Sequence, residues 1–370
     1  MKIMFAITKG EVGGAQEHVR ILARGLLERG HQVAIMVSPG SHLAESVEAM
    51  GGSSLPWASI TGSGAPLANL SARRELREAV DAWQPHVLHL HSSVAGAVGC
   101  RILCPPEGVT VFTCHHAPFG PGRRWSNRTL SRPVAQITLP RMDGIITVGT
   151  RDMPALKRIA RRVPIALVRN AVPNSGPPVS DGPPRPSALW VARLADPKDP
   201  LTAVRAWEKV ASRLPQSMLT ICGSGPLEPA LRDLVSRSGA KNNINVAGFV
   251  RDVTPMARQA SIFFLVSKVE GGISMATLEA MSAGLVPVVT DAGDADLLTQ
   301  LTCGVVARSN DPVAIADAVT GLLEDPDRFK TIRENALAFA RDSRSVDDMV
   351  DETISFYDRI VDTAHIQVTR

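Results

Sequence analysis

Short apolar runs alternate with amphipathic stretches along the whole chain, and that alternation restricts the fold more than any other feature. In the first half "KIMFAIT", "HQVAIMVS", "HVLHLHS", "TVFTCHH", "GIITVG" and "IALVRN" read as strands. Between most of them lie helical stretches such as "AQEHVRILARGLLERG" at 15–30 and "SARRELREAVDAW" at 71–83. Continuously apolar strands joined through helices by short connections argue for parallel sheets covered on both faces. Residues 172–187, "VPNSGPPVSDGPPRPS", then hold six prolines and two glycines with no apolar period, which marks a linker. The alternation restarts with "SALWVARL", "SMLTICG", "INVAG", "SIFFLVS", "VPVVT" and "GVVA", separated by helices near 201–213, 226–238, 275–283, 294–300 and 311–323. A helical tail follows at 327–363, with a break near 343–345.

A chain of 370 residues is comfortable for two domains. The reading is α/β: a doubly wound, Rossmann-like domain at 1–172, a Pro-rich linker at 173–186, a second such domain at 187–345, and a C-terminal helix at 346–370. Open parallel sheets bind ligands beyond the carboxyl ends of their strands, so the segments that follow strands are where chemistry is sought.

No apolar run approaches the roughly 20 residues of a membrane span. The opening "MKIMFAITKG" is too short in its apolar part for a secretory signal, and a cytoplasmic location is expected. The five cysteines at 100, 104, 114, 222 and 303 have no CxxC spacing, which suits reduced thiols. Cys100 and Cys104 are four apart on an expected helix and read as small core residues rather than a metal pair. Charge is uneven. Residues 1–172 carry 20 Lys and Arg against 11 Asp and Glu, a net +9, whereas the remainder carries 20 against 25, a net −5. A basic first half suits either an anionic partner or a plain solvated surface.

Six segments carry candidate chemistry. "KGEVGGAQEH" follows the first strand, and its Gly13 and Gly14 allow backbone amides at a helix start to approach an anion. "WVARLADPKDP" places Arg193 and Lys198 just past a strand end, a fork and a point charge suited to a diphosphate. "CGSGPLEPAL" adds Gly223 and Gly225, which permit another close backbone approach. "FTCHHAPFG" offers His115 and His116 for polar contact or acid–base work, whereas His89 and His91 of "HLHSS" read as hydrogen-bonded core residues. "VTDAGDADLL" is read as a helix cap with first-turn acids at Asp294 and Asp296.

The sixth segment, "VEGGISMATLEAMSAGLVPVVT" at 269–290, holds Glu270 and Glu279. On one unbroken helix, nine positions at 3.6 residues per turn put two side chains on opposite faces. They converge only if the chain bends between them. A strand, a turn at Gly271 and Gly272, and a helix capped by Ser274 supply that bend.

Together, "GGAQEHVRILARGLLERGHQV", "VARLADPKDP", "ICGSGPLEPAL", "NINVAGFV" and "SKVEGGISMATLEAMSAGLVPVVT" resemble the retaining GT-B glycosyltransferases of the family 4 type. The resemblance implies two Rossmann-like domains facing across a cleft. It also implies transfer of a sugar from a nucleotide diphosphate donor, with UDP favoured, to a hydroxyl acceptor without metal or other cofactor. By the same resemblance Glu279 holds the ribose hydroxyls, Glu270 contacts the transferred sugar, and Gly271, Gly272, Ile273 and Ser274 present the turn to phosphate and sugar oxygens. Arg193 and Lys198 bind the diphosphate with Gly223 and Gly225 nearby, His115 stands near the reacting sugar, and Gly13 and Gly14 line the acceptor side. The acceptor is a saccharide, lipid-linked or small molecule. Nucleic acid is not an expected partner, and the basic runs around Arg123, Arg124, Arg128, Arg132 and "KRIARR" at 157–162 point to peripheral contact with an anionic membrane. The family separates its two glutamates by seven residues, and here eight intervene; its Asn-Gly-Val is Asn170-Ala171-Val172. A nucleotide-sugar epimerase of related architecture, or a non-catalytic nucleotide-sugar-binding subunit, are the alternatives this leaves open.

Overall fold

The computed structural model describes residues 1–61, 69–100, 102, 108–117, 125–176, 184–342 and 344–368. The chain divides into two compact units: Met1–Asn170 together with Val346–Arg370, and Ala171–Ser345.

The first unit is built on β1 (Lys2–Ile7), β2 (Gln32–Val37), β3 (Ser53–Pro56), β4 (Val87–His91), β5 (Val109–Cys114), β6 (Gly144–Thr147) and β7 (Ile165–Leu167). They form one parallel sheet in the order β3-β2-β1-β4-β5-β6-β7. The central strands are buried along nearly their whole length, as strands covered by helices on both faces must be. β3 was not expected. Its sequence, Ser-Ser-Leu-Pro, has no apolar run, and it is an edge strand paired only with β2, where a proline is tolerated.

The second unit contains β8 (Ser187–Val191), β9 (Met218–Cys222), β10 (Ile244–Gly248), β11 (Ile262–Leu265), β12 (Val286–Thr290) and β13 (Val305–Ala307), parallel in the order β10-β9-β8-β11-β12-β13. Trp190, Trp207 and Phe264 fill its core, with ring centroids 5.7 Å apart for Trp207 and Phe264. Three of its helices begin at Asp-Pro: Pro200–Arg213, Pro312–Leu323 and Pro326–Arg341. In each the aspartate caps free amides with its carboxylate while the proline fills a first-turn position that needs no N–H donor. In both units the strand order reverses beside the first strand, between β1 and β4 and between β8 and β11. Loops leaving those strand ends diverge and open a crevice.

Two local expectations are corrected. Cys100 is not within a helix but follows the helix Ser93–Gly99 as its C-cap, and Cys104 lies outside the described residues. Asp294 occupies the N-cap of Ala295–Gln300 without a side-chain cap bond, while Asp291 accepts from the Ser309 amide at 2.8 Å. Of the basic run expected to meet a membrane, Arg123 and Arg124 lie outside the described residues, as does the side chain of Arg128. No described helix is long and apolar enough to cross a membrane.

The helix Val346–Val368 packs within the first unit. Arg29, at the end of the helix Gly14–Glu28, reaches Asp347 and Asp351 at 2.8 Å each. Gly25 faces Val350 so closely that a Cβ there would stand 2.4 Å from its Cγ2. The same last helix lies over β6, where a Cβ on Gly144 would stand 2.8 Å from the Phe356 ring. Substitution Gly25→Leu is therefore expected to cost about 1–3 kcal/mol through overpacking, partly recovered by Val350→Ala, as read by urea unfolding.

Candidate active site

In the second unit the site grows from the ends of β8, β9 and β11. Arg193 follows β8 in a loop held by backbone contacts. The Leu194 amide donates to the Ser224 carbonyl at 2.9 Å, and the Leu194 carbonyl accepts from the Leu227 amide at 2.9 Å. These contacts require glycine on the facing loop. A Cβ on Gly223 would stand 1.9 Å from the Ala192 carbonyl oxygen, and one on Gly225 would stand 2.4 Å from that of Leu194. Both also have φ beyond +150°, at 151° and 157°. The close approach these glycines allow is thus to the protein's own backbone, and it sets where Arg193 leaves the loop. Its guanidinium is exposed and has no partner among the described residues.

Lys198 is placed differently. It pairs with Ser267 in an antiparallel bridge, flanked by the Asp199 amide on the Val266 carbonyl at 3.0 Å and the Lys268 amide on the Pro197 carbonyl at 2.9 Å. This seam carries the lysine across to the end of β11, where its ammonium pairs with the Glu270 carboxylate. The two side chains are 20% and 17% exposed, so the pair is partly shielded from water.

After Glu270 the chain turns through the buried Gly271 and Gly272 into the helix Met275–Ser282. Ser274 caps that helix, its Oγ accepting from the Thr277 amide at 3.2 Å. The turn is backed by Gly293, a residue sequence reasoning passed over. Its φ is +60°, and a Cβ there would stand 2.3 Å from the Gly272 carbonyl oxygen and 2.7 Å from Glu270 Cβ. A glycine between the end of β12 and the next helix was the available signal. Ser267, Glu270, Gly272, Ile273, Ser274 and Thr277 line a small cleft here. Glu279 is exposed on the second turn of the helix, so the strand–turn–helix bend between the two glutamates is present.

In the first unit the helix Gly14–Glu28 starts directly after Gly13, whose φ of −178° any residue could adopt. Four imidazoles gather beyond β1, β4 and β5. His89 is fully buried and satisfied, with Nδ1 2.5 Å from the Tyr357 hydroxyl and Nε2 2.7 Å from Thr113 Oγ1. His91, also fully buried, packs against it at 4.1 Å between centroids with the rings tilted by 42°, and places Nδ1 3.0 Å from His115 Nε2. His18 joins them edge-on to His115 at 4.9 Å, and its Nδ1 donates to Asn170 Oδ1 at 3.1 Å. His18 was not foreseen. It is the inward position of "AQEHVRILARG", and only the fold brings it to β5. Among the described residues no group of His, Cys, Asp and Glu is arranged to hold a metal.

Burial is the first cause that lowers all four pKa values, taking His18 to about 4 and the others well below 6.5, with each ring reinforced by its neighbours or, at His18, opposed by Asn170. The imidazoles are therefore neutral at pH 7. Unfolded histidines take up protons near 6.5, whereas folded His18 does so only near 4. The unfolded chain therefore binds more protons across that interval, and stability is lost as pH falls through it. For His18 alone the displacement corresponds to about 3 kcal/mol. The melting temperature is expected to fall steadily from pH 7 to pH 5, and less steeply in His18→Asn. Gly223→Ala is expected to cost more than about 2 kcal/mol in urea unfolding, since both the carbonyl contact and φ oppose it.

Two family models divide the chain between them. "Glycosyltransferase Family 4" matches residues 12–175, and "Glycosyl transferases group 1" matches 185–325. The chain is similar to the phosphatidyl-myo-inositol mannosyltransferase of Mycolicibacterium smegmatis, 26% identical over 322 residues that span 85% of this chain and 82% of that protein. Among solved structures it is similar to sucrose-phosphate synthase from Thermosynechococcus elongatus, with a TM-score of 0.81, 16% identity, and coverage of 98% and 100% of the two chains. It is also similar to Anabaena HepE in complex with UDP and glucose, with a TM-score of 0.79, 16% identity, and coverage of 96% and 99%. Strand order in both units, the two family models and these likenesses agree: the chain is a GT-B glycosyltransferase of the group 1, family 4 type.

Proposed function

We propose that this glycosyltransferase moves a sugar from a UDP-sugar to a hydroxyl acceptor with retention, using protein cations rather than a metal to neutralise the departing diphosphate. The observation that carries the reading is the meeting of Lys198 and Glu270 past the ends of β8 and β11, with the exposed Arg193 guanidinium after β8 left without a partner among the described residues. A leaving diphosphate gathers negative charge as its bond to the sugar breaks, and cations fixed beforehand stabilise that charge without reorganising. In this reading Lys198 turns from Glu270 to the diphosphate, Arg193 grips it with a fork of N–H donors, and Glu270 accepts hydrogen bonds from the sugar. Glu279 takes the ribose hydroxyls. The Ser274 end of the helix and the turn amides face phosphate and sugar oxygens. Gly223 and Gly225 hold the Arg193 loop, and His115 stands beside the reacting carbon.

Retention follows a front-face course. The bond from C1 to the leaving phosphate oxygen breaks, the acceptor oxygen bonds to C1 on the same face, and the acceptor proton passes to that phosphate oxygen. No side-chain nucleophile enters. The unit Ala171–Ser345 takes the donor, and the basic unit with Gly13 and Gly14 takes the acceptor. UDP is favoured because HepE, similar in fold, was solved with UDP and glucose. A lipid acceptor is supported by the relative named as a phosphatidyl-myo-inositol mannosyltransferase. It suits the exposed Arg132, Val134 and Ile137 on one helix and the exposed Lys157, Arg158, Arg161 and Arg162 farther on.

A thermal-shift panel of UDP, GDP, ADP and their sugars tests the donor: UDP compounds should raise the melting temperature and the others should not. Lys198→Ala and Glu279→Ala should each lower turnover or donor affinity more than tenfold, the loss of one charge-assisted hydrogen bond of about 1.5–3 kcal/mol. Wild-type kinetics in both would overturn the assignment. Flotation with anionic liposomes should show salt-sensitive binding, weakened by Lys157→Glu with Arg158→Glu.

A further inference from the structure

We infer that His91 is a positioning residue: it donates its Nδ1–H to His115 Nε2, holds His115 as the Nδ1–H tautomer, and so makes His115 a hydrogen-bond donor to substrate through Nδ1. The inference rests on His115 facing the reacting sugar, and it concerns which ring atom does so.

The 3.0 Å contact between His91 Nδ1 and His115 Nε2 joins two neutral rings, so one nitrogen carries the proton and the other accepts it. If His115 donated, His91 would have to carry its own proton on Nε2. That atom is buried and has no hydrogen-bond partner among the described residues. Neither neighbouring ring serves it: His89 spends both nitrogens on Tyr357 and Thr113, and His18, whose Nδ1 goes to Asn170, brings its Nε2 into no hydrogen bond with His91. A buried N–H with nothing to accept it is rarer and costlier than a buried lone pair with nothing donating to it. The proton of His91 therefore sits on Nδ1, and His115 Nε2 receives it.

A neutral His115 whose Nε2 is an acceptor must carry its own proton on Nδ1. That nitrogen has no partner among the described residues, and the ring is only half-buried, so Nδ1 is the atom left for a ligand. It offers a proton to an oxygen lone pair and cannot accept one, which excludes His115 as the base that deprotonates the acceptor. The assignment agrees with the depressed pKa values, since a charged ring anywhere in the cluster would alter the pattern. The support runs deeper than His91. Its ring packs, tilted, against His89, which Tyr357 of the last helix and Thr113 of β5 hold in place, so the orientation of His115 is fixed through two rings.

The test uses full-length protein with histidine labelled in ¹⁵N. Long-range ¹H–¹⁵N spectra, assigned by loss of signal in His115→Gln, should show His115 protonated on Nδ1 and bare on Nε2 in the wild type. His91→Phe keeps a ring but removes the donor. It should leave His115 without a single tautomer and lower kcat about tenfold to a hundredfold, with the donor KM and the UDP-induced thermal shift unchanged. His91→Gln, whose amide can donate, should restore both the tautomer and most of the rate. Protonation of wild-type His115 on Nε2 overturns the inference, as does wild-type kcat in a folded His91→Phe. A wild-type protein that shows the Nδ1 tautomer yet transfers no sugar upholds the hydrogen bond and counts instead against the transfer reaction proposed above.

Discussion

Backbone against backbone at two glycines is the constraint on which the candidate site of the second unit depends. With no side chain at Gly223 or Gly225, the loop after β9 lies against the carbonyls of Ala192 and Leu194, and the two loops exchange hydrogen bonds where side chains would otherwise hold them apart. Arg193 is anchored by a backbone that cannot shift without breaking those bonds. Lys198 is anchored by the second seam, along 266–268. The cations thus sit on a rigid frame while their charged tips keep freedom to respond to a ligand. That division of labour suits electrostatic stabilisation of a charge that appears only as the reaction proceeds.

The two units treat charge in opposite ways. The second keeps its ions at the rim: Lys198 with Glu270, and Lys268 with Asp199 at 3.3 Å. The first buries titratable groups and keeps them neutral. Histidines inserted in a sheet core would be costly as cations, and here desolvation holds each imidazole uncharged while hydroxyls, an amide or another imidazole take up at least one nitrogen of each ring. The Tyr357 phenol is pushed well above its ordinary range by the same burial, so it too remains neutral.

Much of this was legible in the chain. Apolar runs such as "KIMFAI" and "VPVVT" announce buried strands because a parallel sheet has no wet face, and strand–helix alternation announces the doubly wound class. The bend between Glu270 and Glu279 could be deduced from helical periodicity alone, and Ser274 could be named as its cap. What escaped the sequence shares one physical cause: dependence on partners far along the chain. β3 is a strand only because β2 pairs with it. Gly293 looks like a loop glycine until the turn at Gly272 is seen pressed against it. His18 sits among helix residues and meets His115 only in the folded sheet. The Lys198–Glu270 pair joins segments 72 positions apart, and nothing local to either residue points to the other.

The last helix carries a consequence for how the molecule is made. Residues 346–368 complete the unit that begins at Met1, through Arg29, the bare Gly25 and the Tyr357 hydroxyl beneath His89. The unit Ala171–Ser345 is one continuous stretch, so it can close as soon as it leaves the ribosome. The unit that holds His115 is discontinuous, and its completion requires residues 346–368, which carry the Tyr357 hydroxyl that bonds His89.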